Sequence, residues 1–460
     1  MAPLSICINS QTPLVQFLRP AEGHVLDGAQ RDGADLTTLQ EGVDYRFSPG
    51  GVTRMVYPLV RRLIKDGVLE EAHWIALNPK APPTVRMGAM TLHNVTIDSE
   101  KMAGYGEVKE AIWGRIHDLE PAQPHDDLFW TEAFSAFSFY NRTTTELIQK
   151  LDAKLDFDAF YIHDFQQMAV GHMLGTMKPK IFRWHIPFDA SVIPEEWRSL
   201  LTTYIDSYDE IVVSADRYAE SLEALGTKTK IRRLYPFVDP DDYTKPEKSD
   251  VEEITARFRL PPTDQVALIV GRMDPIKGQD VAIRAFAELA DDYPDLKLVI
   301  VGNGSFSGSS AGLGLSKSGK WRAHLEALVK ESHLETRVVF TGHVGQRDLD
   351  ALYQRSSFTI MPSVREGFGL VAVESWLHNR PAIVTVRAGI AELIRDGYNG
   401  LLFDPDDPKA LTAQMRRLLD DDTGRLHARL VKNGRTTSKK CSIDAALKAE
   451  KAMLTEVVAA

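Results

Sequence analysis

Glu366 and Glu374 stand eight positions apart, with Gly367-Phe368-Gly369-Leu370 directly after the first of them. An amphipathic helix has no need of carboxylates at both ends of an apolar run that opens on Gly-Phe-Gly. A site that grips a long ligand charged in its middle does. The preceding FTIMP reads as a strand, so 363–369 is the loop after it, and a helix is expected from about Leu370. The two glycines let the backbone approach a ligand and adopt conformations closed to other residues. Free N–H groups at the helix start would face a phosphate. Eight helical residues span roughly 12 Å. That separation suits one carboxylate accepting hydrogen bonds from a sugar and the other from a ribose. The competing reading is an ordinary helix with two exposed acids, and the Gly-Phe-Gly weakens it.

A second charged pair follows VALIVG, an apolar run that ends at Gly271. Arg272 and Lys277 come next, before a helix expected over 279–291. Arginine offers a planar fork and lysine a point charge, a combination that holds a diphosphate. Two solvated charges on a connecting loop are the alternative. In the first half, Gly50-Gly51 precede a helical pattern over 52–65, a candidate anion cradle. FYIHD ends a strand at His163-Asp164, and KIFRWH ends one at His185. A lone strand-end histidine is more often structural. Two histidines and an aspartate expected to open on one cleft make a stronger case for chemistry.

The elements that must position these residues are legible as short β-branched runs alternating with helical patterns. LSICI, HWIAL, FDAFYI, KIFRWH and EIVVS occupy the first half; QVALIVG, LKLVIV, RVVFTG, FTIMP, PAIVT and GLLF occupy the second. Several are continuously apolar, as parallel strands covered on both faces are. The alternation predicts an α/β fold of two doubly wound, Rossmann-like domains with an interdomain cleft. Ligands in such sheets sit beyond the carboxyl ends of the strands. The stretch 235–250 is rich in proline and charge and reads as a linker. It divides residues 1–235 from 236–440, and 441–460 is expected to form a helix returning to the first domain. The run from Gly302, GNGSFSGSSAGLGLSKSGK, reads as a surface loop over a strand end.

Composition narrows the classes. The chain has 460 residues, too many for one ordinary core. Its net charge of -10 argues against nucleic acid or an anionic membrane as partner. Its two cysteines, Cys7 and Cys441, imply no disulfide framework and suit a reducing compartment. MAPLSICINS lacks the basic leader of a signal peptide, and no run reaches the ~20 apolar residues of a membrane span. A cytoplasmic protein is expected. VGNGSFSG misplaces its third glycine for a dinucleotide fingerprint, which argues against an NAD-type oxidoreductase.

Taken together, Glu366 and Glu374, Arg272 and Lys277, Gly50-Gly51 and His185 resemble the retaining nucleotide-sugar glycosyltransferases of family 4, with the GT-B fold. The similarity covers most of the chain and is strongest over 266–403. IHDFQQM and WHIPFD are similar to segments of trehalose-phosphate synthases and trehalose glycosyltransferring synthases. The loop after LKLVIVG lacks the acidic-proline run associated with the latter.

The resemblance implies transfer of a hexose from a nucleoside-diphosphate sugar to a small sugar-type acceptor, with glucose or glucose 6-phosphate the first expectation. Arg272, Lys277, Glu366 and His185 would carry catalysis. Gly50, Gly51, Gly271, Gly367, Phe368, Gly369, Leu370 and Glu374 would hold the donor, and His163 and Asp164 the acceptor. No cofactor and no metal are expected, although Asp156-Phe157-Asp158 and Asp404-Pro405-Asp406 have the spelling of a cation-binding element. The expected partners are the nucleotide sugar and the acceptor, with no nucleic acid and no integral membrane association. Homo-oligomerisation stays open. A GT-B phosphorylase, an epimerase and a non-catalytic sugar-nucleotide sensor are the alternatives on the same scaffold.

Overall fold

The computed structural model describes residues 2–18, 33–48, 51–118, 127–303, 313–407 and 409–459. The chain divides into two units. One runs up to Tyr235 and takes back the chain from Ala446; the other is Pro236–Ala445. The second crossing therefore falls within the last helix, Ile443–Ala459, a few residues later than expected.

The sheet of the second unit has the order Val338–Gly342, Leu296–Val301, Gln265–Val270, Phe358–Met361, Ala382–Thr385, Leu401–Phe403. Every pairing in it is parallel. Counted from Gln265–Val270 this is 3-2-1-4-5-6, the doubly wound order in which the chain reverses direction between strands 1 and 4. Alternation along the strands explains why both faces are covered. Ala267, Ile269, Leu298 and Ile300 pack into one core, and Val266, Leu268, Val299 and Val301 into another. The reversal opens a crevice where Val270 and Met361 end.

The sheet of the first unit runs Lys230–Arg233, Glu210–Val213, Lys180–Arg183, Ala159–His163, Leu4–Ser10, Leu69–Leu77, Met90–Val95, Thr84–Met87, Ala34–Asp35. Its reversal lies between Leu4–Ser10 and Ala159–His163, where Ser10 pairs with His163. The last helix is tied to this unit by charge. Glu450 is 1 % exposed and pairs with Arg183, which is 3 % exposed, and it also accepts a 3.2 Å bond from the Tyr161 hydroxyl. Glu456 accepts from Arg232, which also binds the buried Glu210.

Several expectations need correction. KIFRWH stops pairing at Arg183, so His185 lies two residues beyond its strand. Residues 84–95 form a hairpin, with Thr84–Met87 antiparallel to Met90–Val95, that was not anticipated. The helix expected over 279–291 is Gln279–Ala287. The later part of the run from Gly302 is not loop, because a helix spans Leu313–Glu331; 304–312 lie outside the described residues. Among the described residues no helix is long and apolar enough to cross a membrane.

Candidate functional site

At the switch point of the second unit, a cavity of about 210 Å³ is lined by the ends of the two diverging strands and the loops after them. Gly271, Arg272, Lys277, Ser363, Glu366, Gly369, Leu370 and Glu374 all contribute to its wall. Two glycines allow this geometry. Gly278 has φ +62, and a Cβ there would sit 2.0 Å from the Pro362 carbonyl oxygen. Gly369 has φ +106, and a Cβ there would meet the Met361 sulfur at 2.7 Å. The two loops can approach only because neither residue has a side chain. Each of these glycines also caps a helix, Gln279–Ala287 and Leu370–Leu377 respectively. The second helix presents its free N–H groups at the cavity.

The charges within the cavity are arranged around Glu366. Lys277 Nζ lies 2.5 Å from Glu366 Oε2, and the Ser363 hydroxyl donates to the same oxygen at 3.1 Å. Burial pushes the Glu366 carboxyl up. The Lys277 ammonium, the Ser363 hydroxyl and the Arg272 guanidinium outweigh that effect and hold it below its ordinary value. The backbone carbonyl of Arg272 accepts from Gln279, which in turn accepts from Trp321, so the strand-end turn is braced from behind. Glu374 is held differently, by the hydroxyls of Tyr243 at 2.9 Å and Tyr353 at 2.7 Å.

The structure thus brings together Gly271, Arg272, Lys277, Glu366, Gly369, Leu370 and Glu374. Gly367 and Phe368 belong to the same loop but not to the cavity wall. The Phe368 ring is buried in the core, and its carbonyl accepts from Ile390. Sequence reasoning missed Ser363, Tyr243 and Tyr353. Ser363 alone had a signal, its place in the loop after a strand.

In the first unit, His163, Asp164 and His185 gather at that sheet's own switch point. His163 is fully buried, and its Nδ1 meets His185 Nε2 at 3.0 Å. The two nitrogens share one proton, so one ring donates and the other accepts. Burial, then each other's proximity and the Arg183 guanidinium, hold His163 well below its ordinary value. Burial and Arg183 do the same to His185. Neutral rings are the result, and neither is set up as a cationic electrophile near pH 7.

Asp164 is strained. It has φ 71 and ψ 164, a region nearly reserved to glycine that costs of order 1–3 kcal/mol elsewhere. Its N–H donates to the Arg183 carbonyl at 2.8 Å, which holds that conformation. One carboxylate oxygen is buried without a partner among the described residues. Burial pushes the carboxyl up to about 7, against the backbone N–H groups of Phe165 and His185.

A folded-state value above the unfolded 3.8 means that the native state keeps a proton the unfolded chain has released. Stability from this group is therefore lost as pH rises towards 7, by about 1.4 kcal/mol per unit. Asp164→Asn is expected to raise the melting temperature of this unit at pH 8, with the gain shrinking towards pH 4. Equal melting of both proteins at pH 8 would contradict the buried, protonated carboxyl.

Gly51 begins the helix Gly51–Lys65, and Gly50 lies outside the described residues. The two Asp-x-Asp elements are otherwise engaged. Asp156 pairs with Lys178, Asp158 accepts from the Ser5 N–H, and Asp406 pairs with Arg387.

A parallel sheet wound 3-2-1-4-5-6 in the second unit, with charged loops at its switch point, defines a doubly wound α/β protein. The comparisons carry this further. Residues 250–437 match the family model described as glycosyl transferases group 1, and 125–220 match that of the trehalose synthase N-terminal domain. A D-inositol 3-phosphate glycosyltransferase of Acidothermus cellulolyticus is 36% identical over 398 residues, 81% of this chain and 78% of that one. Another, from Corynebacterium urealyticum, is 30% identical over 235 residues, 51% of this chain and 54% of its own length. The matched part thus spans about half the length of several such relatives.

Among solved structures, the sucrose-phosphate synthase of Thermosynechococcus elongatus superposes with a TM-score of 0.71 at 19% identity over 99% of both chains. The UDP-forming trehalose-phosphate synthase of Burkholderia xenovorans does so with 0.73 at 17% over 100% of both. The chain belongs to the group 1 glycosyl transferases and has the GT-B fold.

Proposed function

We propose that this protein is a retaining glycosyltransferase of family 4 that moves a hexose from a nucleoside-diphosphate sugar to a small sugar-type acceptor. The observation that carries the reading is the cavity in which Arg272, the Lys277–Glu366 pair and the start of the helix at Leu370 converge at a switch point. Cleavage of a glycosyl phosphate builds positive charge on the sugar and negative charge on the departing diphosphate. Arg272, Lys277 and the helix start are donors fixed in advance where that negative charge grows. In this reading they do without a divalent cation. The Glu366 carboxylate, kept ionised by Lys277, accepts from hexose hydroxyls, and a departing phosphate oxygen takes the acceptor proton.

The acceptor is assigned to Asp164 in the first unit. In this reading His185 is assigned a role at the reacting carbon, through its backbone carbonyl as much as through its ring. Asp164 can accept from two sugar hydroxyls, and more strongly when ionised. Glucose or glucose 6-phosphate is favoured as acceptor by the match of 125–220, which contains His163, Asp164 and His185, to the trehalose synthase domain. Two buried free thiols, Cys7 and Cys441, support action in the cytoplasm.

The test is release of nucleotide from UDP-, ADP- and GDP-glucose in the presence of glucose, glucose 6-phosphate or inositol 3-phosphate. Release that requires glucose or its phosphate is expected. Release with inositol 3-phosphate alone moves the acceptor to the substrate class in the relatives' names, and no release with any pair counts against transfer itself.

The two glutamates should separate in kinetics. Glu374→Ala is expected to raise the donor KM and weaken binding of free nucleotide. Glu366→Ala should lower kcat by about tenfold or more while leaving nucleotide affinity near its original value, since the ligand hydroxyls assigned to it belong to the hexose and not to the nucleotide. Equal loss of nucleotide affinity in both variants would show that the ligand lies otherwise.

A further inference from the structure

We propose that Tyr243 and Tyr353 are positioning residues of the donor site, acting on the ligand through Glu374; this rests on the glycosyltransferase reading above. The two glutamates of the cavity are furnished in opposite ways. Glu366 is neutralised by Lys277. Among the described residues Glu374 receives hydroxyl donors, Tyr243 on Oε1 and Tyr353 on Oε2, which fix its direction without setting a cation against it. An ionised carboxylate has about four lone-pair sites. After two tyrosine bonds, one site on each oxygen remains for a pair of neighbouring hydroxyls. A phosphate would be repelled there. The cavity is therefore polarised, with cations where the diphosphate lies and a fixed anion at the diol end.

The tyrosines are themselves held. The ring of Tyr353 is fully buried and lies flat on His378, with centroids 4.5 Å apart and planes 13° from parallel. His378 meets the backbone carbonyl of Glu374 at 2.8 Å and the buried Asp350 carboxylate at 3.1 Å. Asp350 also accepts from the N–H and hydroxyl of Thr244, at 3.0 and 3.1 Å. Tyr243 and Thr244 thus fasten the segment after the Tyr235/Pro236 boundary to the helix that carries Glu374 at two adjacent points. Loss of one hydrogen bond to a carboxylate of this kind leaves the fold in place and frees the carboxylate to turn.

The experiment is calorimetric titration of UDP, ADP and GDP into the unaltered protein, Tyr243→Phe, Glu374→Ala and the double variant, with donor kinetics on each. Tyr243→Phe, at a half-buried site, is expected to bind the preferred nucleotide about 5-fold or more weakly, the worth of one such bond. Its donor KM should rise by the same factor with kcat retained. The double variant should bind no more weakly than Glu374→Ala alone. Tyr353→Phe, checked for an intact melting transition, should repeat the effect. Unchanged affinity in Tyr243→Phe, or a double variant weaker by the full product of the two, overturns the positioning role while leaving the proposed function standing. No nucleotide bound by the unaltered protein overturns the function and this role together.

Discussion

Lys277→Ala is expected to reduce kcat by about 10²- to 10³-fold, on the order of 3–4 kcal/mol of transition-state stabilisation. Two effects combine in that number. The ammonium is one of the fixed donors for the leaving diphosphate, and it is also the direct partner of Glu366 at 2.5 Å. Without it, the burial that pushes the carboxyl up loses its largest opposing influence, so the carboxyl shifts upward and its charge is weakened. Arg272→Ala should cost a similar factor through the leaving group alone. The two variants therefore differ in their pH profiles. In Lys277→Ala the acidic limb of kcat should move to higher pH, because a carboxyl that needs to be ionised has lost its principal partner. In Arg272→Ala the limb should move far less. Steady-state rates across pH, with circular dichroism to confirm the fold, decide between these outcomes. Unaltered turnover in either variant would remove the charged cavity from the chemistry.

Glu450→Ala is expected to destabilise the first unit by about 3–5 kcal/mol, because it leaves the Arg183 guanidinium buried without its counter-charge. At roughly 2–4 °C per kcal/mol for a unit of this size, the corresponding transition should fall by about 10 °C. The last helix should become the first segment cut by a protease. Replacing both partners by apolar residues of similar volume, Arg183→Met with Glu450→Leu, should recover much of the loss, since the pair's own desolvation cost disappears with it. Thermal melting of the three variants tests this. A Glu450→Ala protein that melts like the unaltered one would mean that the helix is not anchored where Tyr161 and Arg183 reach it. The anchor also has a link to function: Arg183 is on the strand whose following residues place His185, and its carbonyl holds the strained Asp164.

The parts of the molecule legible in the sequence are those with local causes. Strands buried on both faces read as continuous apolar runs, so QVALIV, LKLVIV and FTIM were found nearly to the residue. The helix starts at Gln279 and Leu370 were both expected, the second from the glycines before it. The hairpin over 84–95 was not, because TVRMGAMTLHNV lacks such a run and pairs antiparallel at the far side of its sheet. The strand before His185 was drawn two residues too long, since apolar character continues after pairing has stopped.

Within the candidate site, the residue types were legible and their partners were not. Lys277 and Glu366 are 89 positions apart, and they meet only because Gly278 lets one loop lie against Pro362 of the other. Tyr243 and Glu374 are 131 apart, brought together by the path of a segment that reads as linker. Neither pairing has a signature of spacing. The strain at Asp164 is likewise invisible in His-Asp-Phe, being imposed by tertiary contacts.

The most direct measurement is a proton NMR time course of the unaltered protein with its preferred nucleotide hexose and a sugar acceptor, without added phosphate. One trace follows the donor, the free nucleoside diphosphate and the anomeric proton of the product. The account predicts nucleoside diphosphate and glycoside appearing in equal amounts, with the anomeric coupling of the donor retained in the product. An inverted coupling would contradict the retaining mechanism. Hexose 1-phosphate formed only on addition of inorganic phosphate, or a donor left intact with every acceptor, would contradict hexosyl transfer at this cavity altogether.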